Sequence, residues 1–470
     1  MKIKKIAISV VCSLILSVTL VLSGCSFGND NQIKTIVSIE KTMTNGLKDT
    51  YTITYSDNTT YNFEIKNGKD GADADVEAIY RAYAARYPDA TFEDFLNAVV
   101  KVGVDQSLTV SNIALLSSFK VYTEFTETTY SGWPYQRVIN QTAVYCGSAV
   151  VYSVDENYTY FITNYHVLYD GKSSDKSKLA KKIICYAYGS ESAPQKTNET
   201  SSDGCIIYEY GDYAIFCEYV GGSVTCDLAI IKAKTSDVKK INPNVKAVTF
   251  AESYHVGESA IAIGNSENEG ISVTKGIVSV DNEYINYSID GAQRSYRSMR
   301  IDTAIYGGNS GGGLFDDDGN LIGITNAGNG EDQNINYAIP VNIVKPVTEN
   351  ILHYLDGTVK TLKLGVTVSA KNSRYVYDEA LGYGDIYEDV FVSDVISDSF
   401  ISSLGLKAGD RLVSFNVNKT EYKLKRYFNL GDYLYSVRPG DTVSFTYERA
   451  GVTVNSTELT VSSANFIMVS

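Results

Sequence analysis

The spacing of hydrophobic and polar residues changes period several times along the chain. An apolar run extends from Ile6 to Leu22. From Ile33 to Ile65 the pattern alternates: Ile36, Ser38 and Glu40 interleave with Val37 and Ile39, and Tyr51 to Tyr55 repeats the alternation. Asn45-Gly46 and Asp57-Asn58 supply turns, so this stretch predicts a small antiparallel β-unit, ended by Asn67 to Gly71. Between Asp75 and Val102 the period becomes helical, with Val76, Ile79, Tyr80, Tyr83 and Tyr87 on one face. Thr91, with Asp94 three residues later, opens a second short helix at Phe92. From about Phe119 to Ile351 short strands are broken by Gly, Asn and Asp, which predicts an all-β barrel architecture with a polar surface loop from Tyr188 to Gly204. A last β-rich domain, from about Thr358 to Val461, has strands near 390–396, 411–416 and 442–447 and a short helix near 423–434.

Composition supports this division. At 470 residues the chain is too long for one core. Thirty-seven tyrosines against seven prolines favour β-structure over helical bundles. The formal net charge of −14, without a basic stripe, gives nucleic acid no footing as a partner. The N-terminus changes the picture more. Lys2, Lys4 and Lys5 precede the first apolar run, and Leu22-Ser23-Gly24-Cys25 closes it, as in an export signal. The closing residues resemble a bacterial lipobox, which implies lipidation of Cys25 and an extracytoplasmic location, anchored at the cell membrane. Beyond the signal and Cys25 the cysteines are Cys146, Cys185, Cys205, Cys217 and Cys226. The segments 205–210 and 213–219 read as a hairpin around Gly211-Asp212 that sets Cys205 roughly opposite Cys217; a disulfide there and small buried thiols both fit. No Cys/His spacing resembles a zinc site, and neither a metal nor an organic cofactor is expected.

Candidate chemistry begins at Gly308-Asn309-Ser310-Gly311-Gly312. A serine hydroxyl needs a base to take its proton and donors aimed at the oxyanion it creates, and glycines let the amides of Gly308 and Ser310 point to one spot. The same residues satisfy the elbow of an α/β-hydrolase, whose order of serine, acid, histidine would require His353. That histidine lies in an apolar run resembling a packing helix, and Gly319 to Ala327 reads as a strand rather than the helix an elbow needs. His255 sits in a turn. His166 follows the strand Tyr160 to Tyr165 and is placed to act as base in the order histidine, aspartate, serine. Asp227, directly ahead of Leu228-Ala-Ile-Ile231, is a carboxylate in apolar surroundings, costly to bury without a partner.

Thr163-Asn-Tyr-His-Val167, Asp227-Leu-Ala-Ile-Ile231, Ala262-Ile-Gly-Asn265, Val273-Thr-Lys-Gly-Ile-Val-Ser279, Gly308-Asn-Ser-Gly-Gly312 and Asn336-Tyr-Ala-Ile-Pro340 follow one another as in HtrA/DegP-type serine proteases, which the chain resembles over about half its length. The resemblance implies a mainly β fold, a chymotrypsin-like double β-barrel followed by a PDZ-like domain. It implies His166 as general base, Asp227 as its orienter, Ser310 as nucleophile, and the amides of Gly308 and Ser310 as oxyanion hole. Ala304, six residues before the nucleophile, takes the base of the S1 pocket; lacking an acid, it implies cleavage after small or medium apolar residues in unfolded chains. Leu364, Gly365 and Val366 take the carboxylate-binding loop of the PDZ module, whose partners are C-terminal peptides. A homotrimer is implied by the same resemblance. The expected division is a signal peptide over 1–24, a tether and β-unit over 25–71, a helical spacer over 72–118, a protease domain over 119–355 and a PDZ-like domain over 358–462.

Two departures stand out. The family has Asn-Pro before Gly-Asn-Ser and Pro after Gly-Gly, whereas this chain has Tyr306-Gly307 and Gly313; added glycine loosens the loop. The interval from His166 to Asp227 is also long. A protease-fold binding protein with weak or no catalysis therefore stays beside the endopeptidase reading. Asp316 to Asn320 reads as a tight hairpin turn, since it lacks the spacing and terminal Glu of a calcium loop.

Overall fold

The computed structural model describes residues 36–45, 48–55, 59–66, 107–131, 137–190, 192–329, 332–354, 356–379 and 382–469. The export signal with Cys25 and the helical stretch expected over 75–102 lie outside them. The chain divides into two units, 1–106 and 107–470. In the first, β1 (Ile36–Asn45), β2 (Lys48–Tyr55) and β3 (Thr60–Lys66) form an antiparallel three-stranded sheet.

The second unit opens with α1 (Ser107–Leu115) and a barrel built from β4 (Ser118–Ser131), β5 (Arg137–Val154), β6 (Tyr158–Thr163), β7 (Lys182–Ala187), β10 (Ile215–Ser223) and β11 (Leu228–Lys234), closed in the order β10-β11-β6-β5-β4-β7. Its interior is filled by Phe119, Val121, Val151, Phe161, Ala229 and Ile231, the inward set of strands whose side chains alternate. Between them lie α2 (Tyr165–Leu168) and the pair β8 (Gln195–Thr200) and β9 (Ile206–Glu209). The polar stretch expected as a loop from 188 to 204 thus carries β8, paired to β9. The expected hairpin between 205–210 and 213–219 does not form, because β10 closes the barrel against β7 instead. Cys217 therefore lies beside Cys185, with Sγ atoms 3.4 Å apart and both thiols free, and Cys205 is elsewhere.

After α3 (Thr235–Ile241) come β12 (Thr249–Phe250), β13 (Ser259–Asn265), β14 (Ile271–Ser288), β15 (Gln293–Ile301), β16 (Gly313–Phe315), β17 (Asn320–Asn329) and β18 (Asp332–Pro340). The sheet order is β12-β17-β16-β13-β14-β15-β18, and the further pairing of β17 with β18 closes a second ring. Asp316 accepts from the amides of Asp318 and Asn320, making 316–320 the tight turn between β16 and β17. The outward faces of the two rings meet in a shared core: Val150, Ile162 and Ile230 from the first, Ile261, Ile263 and Ile324 from the second, and Val344, Val347 and Ile351 of α4 (Val341–His353). His353 accordingly ends a helix that packs on the barrels.

The last domain consists of β19 (Lys360–Leu362), β20 (Val366–Asp378), β21 (Tyr383–Val395), α5 (Phe400–Ser403), β22 (Arg411–Val417), β23 (Thr420–Lys423), α6 (Asn429–Leu434), β24 (Thr442–Arg449), β25 (Val452–Asn455), β26 (Leu459–Thr460) and β27 (Phe466–Met468). Its sheet runs β20-β21-β22-β24-β25, with β20 at an edge, and β27 returns beyond the expected limit at 462 to pair with β19. The helix expected over 423–434 starts six residues later, since 420–423 pairs with β22. Arg297 of β15 bonds bidentately to Asp432 of α6 (3.1 and 2.5 Å), both buried, and Asn350 of α4 donates to the carbonyls of Lys360 and Tyr435. The domain is thereby fixed against the barrels.

Candidate active site

His166 stands on α2, a single turn entered from the end of β6 through the buried Asn164, whose side-chain amide donates to the Asp227 carbonyl (2.9 Å). Asp227 is the last residue of the turn between β10 and β11, with φ of 50°, a left-handed conformation that Asp tolerates better than most residues. The turn buries its carboxylate completely. The His166 amide donates to Asp227 Oδ1 (2.9 Å), and His166 Nδ1 lies 2.7 Å from Oδ2. A carboxylate only accepts, so Nδ1 carries the proton and Nε2 presents its lone pair. Burial pulls the imidazole toward its neutral form, but the charge of Asp227 and its hydrogen bond outweigh this and hold the His166 pKa above its ordinary value.

A third donor was not legible in the sequence. Tyr287 of β14 places its hydroxyl 2.9 Å from the same Asp227 Oδ2. Its ring stacks on Tyr296 of β15 at 4.0 Å, and Asn326 Nδ2 of β17 lies 2.6 Å from its oxygen. Burying an ionised carboxylate costs several kcal/mol. Three charge-assisted hydrogen bonds at roughly 1.5–3 kcal/mol each offset that cost.

Ser310 lies between the two rings. Its Oγ donates to the Asn326 carbonyl at 3.0 Å, so its one proton is not directed at His166. The loop before it is held from the first barrel. Ser148 Oγ donates to the Gly308 carbonyl and Ser148 N to the Ser310 carbonyl, both at 2.8 Å, while Asn265 N donates to Ser148 Oγ. Gly308 has φ of +95°, and a Cβ there would lie 2.2 Å from the Asn265 carbonyl oxygen, so only glycine fits. The Gly307 carbonyl accepts from the Glu267 amide at 2.7 Å. In a trans peptide the N–H opposes the C=O, which turns the Gly308 amide away from Glu267.

The two extra glycines differ in kind. A Cβ on Gly307 would meet nothing within 4 Å, whereas one on Gly313 would sit 2.5 Å from the Phe315 ring and 2.9 Å from Val150. Gly313 is thus demanded by packing at the start of β16 and does not loosen the loop; Gly307 is the open position. Ala304 is half-buried, its carbonyl receiving Thr274 Oγ1 at 3.0 Å. His255 lies apart from this site, with Nδ1 2.8 Å from Asp385 of β21.

Leu364, Gly365 and Val366 line a cavity of about 450 Å³ with Val368 of β20 and Leu430 and Leu434 of α6. Cys226, Tyr296, Arg297 and Ile343 line it as well, which brings it beside the neighbours of Asp227 and Tyr287. Among the described residues no group of His, Cys, Asp and Glu is arranged to hold a metal ion. Ser148, Tyr287 and Asn326 are the site residues that sequence reasoning missed. Gly147-Ser148 ahead of an apolar run was a usable signal for the first; nothing local marks the other two.

Residues 147–324 match the family described as trypsin-like peptidase domain, and 363–461 match the PDZ domain family. The chain is 28% identical over 316 residues to the Serine protease Do-like HtrA of Bacillus subtilis, covering 65% of this chain and 61% of that one. It is 35% identical over 203 residues to the Periplasmic serine endoprotease DegP of Escherichia coli, covering 42% and 40%. It thus spans less than two thirds of the length of these relatives. Among solved structures, the HtrA-type protease AlgW with tripeptide is 26% identical with a TM-score of 0.45, covering 76% of this chain and 96% of that one. The chain joins a trypsin-like peptidase fold to a PDZ domain.

Proposed function

We propose that the protein is a serine endopeptidase of the HtrA/DegP kind. The observation that carries the reading is the buried Asp227 held 2.7 Å from His166 Nδ1, which leaves a lone pair on Nε2 in a domain whose glycine-flanked Ser310 lies on the next barrel. In this reading His166 takes the Ser310 proton, the hydroxyl oxygen attacks a peptide carbonyl, and the amides of Gly308 and Ser310 stabilise the oxyanion. Collapse expels the amine, which takes the proton from His166, and water then hydrolyses the acyl-enzyme. The uncharged Ala304 position supports cleavage after small or medium apolar residues. The substrates are unfolded exported polypeptides, and C-terminal peptides bind at Leu364, Gly365 and Val366. The export signal supports an extracytoplasmic enzyme anchored through lipid on Cys25, and the kinship with HtrA/DegP proteases supports a homotrimer.

A second reading, a protease-fold binding protein, is favoured by one observation: Ser310 Oγ gives its proton to Asn326 rather than to a base. A fluorophosphonate probe on the chain from residue 26 onward, beside Ser310→Ala, decides. Labelling of the unsubstituted protein alone supports the peptidase. No labelling, even with unfolded substrate and apolar C-terminal peptides present, leaves the binding protein.

A further inference from the structure

The three donors on Asp227 are not equivalent. The two from His166 belong to the pair itself, whereas the third comes from the other barrel, from a side chain with no part in the chemistry described above. The direction of its proton follows from valence. Asp227 only accepts, so the Tyr287 hydroxyl, 2.9 Å from Oδ2, must donate to it. The Tyr287 oxygen then accepts from Asn326, whose amide nitrogen faces it at 2.6 Å. Burial and the neighbouring Asp227 charge both push the phenol pKa upward, which keeps that proton in place. Ring stacking on Tyr296 at 4.0 Å, with planes 16° apart, fixes where the hydroxyl sits.

We propose that Tyr287 is a positioning residue for the His166–Asp227 pair, with Asn326 orienting it. The proposal rests on the serine peptidase reading. With donors on both sides of Oδ2 and the His166 amide on Oδ1, the carboxylate cannot rotate about its Cβ–Cγ bond, and the imidazole stays in the tautomer that offers Nε2 to Ser310. The phenol also draws part of the negative charge away from His166, which limits how far the imidazole pKa rises. Asn326 serves both sides of the site: its side chain aligns Tyr287, and its backbone carbonyl receives the resting Ser310 hydroxyl.

The test compares the full-length protein with Tyr287→Phe, which keeps the stacked ring and removes one oxygen. The readouts are kcat and KM on a fluorogenic unfolded protein and the His166 titration by NMR with labelled histidine. The expected result is a kcat about ten-fold lower, the size of one hydrogen bond to a charged group, with KM unchanged and the His166 midpoint moved to higher pH. Asn326→Ala, which leaves the backbone carbonyl in place, moves both readouts the same way by less. An unchanged His166 midpoint overturns the proposal. So does a loss that merely follows the number of fluorophosphonate-reactive sites, with kcat per site unchanged. If the unsubstituted protein neither labels nor turns over, the peptidase reading fails by itself, and the NMR midpoints still decide the placement role of Tyr287.

Discussion

On the acid–base side of the site, Asp227 has no exposed surface, receives three donors and fixes the imidazole tautomer at rest. On the nucleophile side, Ser310 gives its proton to a backbone carbonyl, and the loop ahead of it contains an open glycine at 307. The first arrangement is held by charge around a fully buried carboxylate, where leaving a donor unmade is expensive. The second is held by neutral hydrogen bonds, which exchange at little cost. In the peptidase reading, the site thus pairs a firmly held proton acceptor with a serine whose hydroxyl must turn away from Asn326 to meet it.

The largest break in this comparison is Asp227→Asn. Asn tolerates the left-handed backbone at 227, so the fold survives, but its amide can present a donor to His166 Nδ1 and favour the wrong tautomer. A kcat lower by about 10⁴ is expected, as the corresponding change does in the Ser-His-Asp template, measured on an unfolded protein substrate. On the nucleophile side, Gly308→Ala forces a Cβ to within 2.2 Å of the Asn265 carbonyl at φ of +95°. If the Gly308 amide is an oxyanion donor, as proposed above, displacing it in this way is expected to lower kcat by about 10²–10³, with the His166 titration unmoved.

The pH profile probes the acid–base side without substitution. Only neutral imidazole acts as base, and the Asp227 charge outweighs burial to raise its pKa. The value of kcat/KM should therefore climb with pH through a midpoint above the ordinary value of about 6.5. For stability the sign is opposite: the charged pair contributes fully below the unfolded-state pKa, and that contribution is lost as pH rises through the folded one. The smallest effect is expected from Gly307→Ala. The added methyl meets nothing, so it stiffens the loop and raises the melting midpoint by about 1–3 °C. A faster fluorophosphonate reaction in that variant would identify loop looseness as what limits the nucleophile side.

What could be read from the sequence was whatever local chemistry marks. His166 after a strand end, Asp227 ahead of an apolar strand and Ser310 among glycines each carry their signal within a few residues. Tyr287 does not. It lies on β14 past register shifts between Val278 and Val280 and between Val280 and Glu283, and each irregularity can change which face a residue shows, so strand parity alone cannot aim it. Cys205 and Cys217 were misplaced for a related reason: the local hairpin signal around Gly211 lost to closure of the barrel through β7. Gly313 looked like looseness and is a packing requirement, which only the position of Phe315 reveals.

The donors on Asp227 also bear on the order of folding. The His166 contacts span 61 residues within the first barrel, while the Tyr287 contact spans 60 residues from one barrel to the other, and Asn326 adds a further 39. For contacts so far apart in sequence, the loop-closure entropy is paid before the contact stabilises the chain. A chain with its first barrel folded and its second still open would hold His166 against Asp227 but lack both Tyr287 and Ser310. The complete charge network can therefore exist only once both barrels have docked, and in the peptidase reading a half-folded molecule would lack its nucleophile.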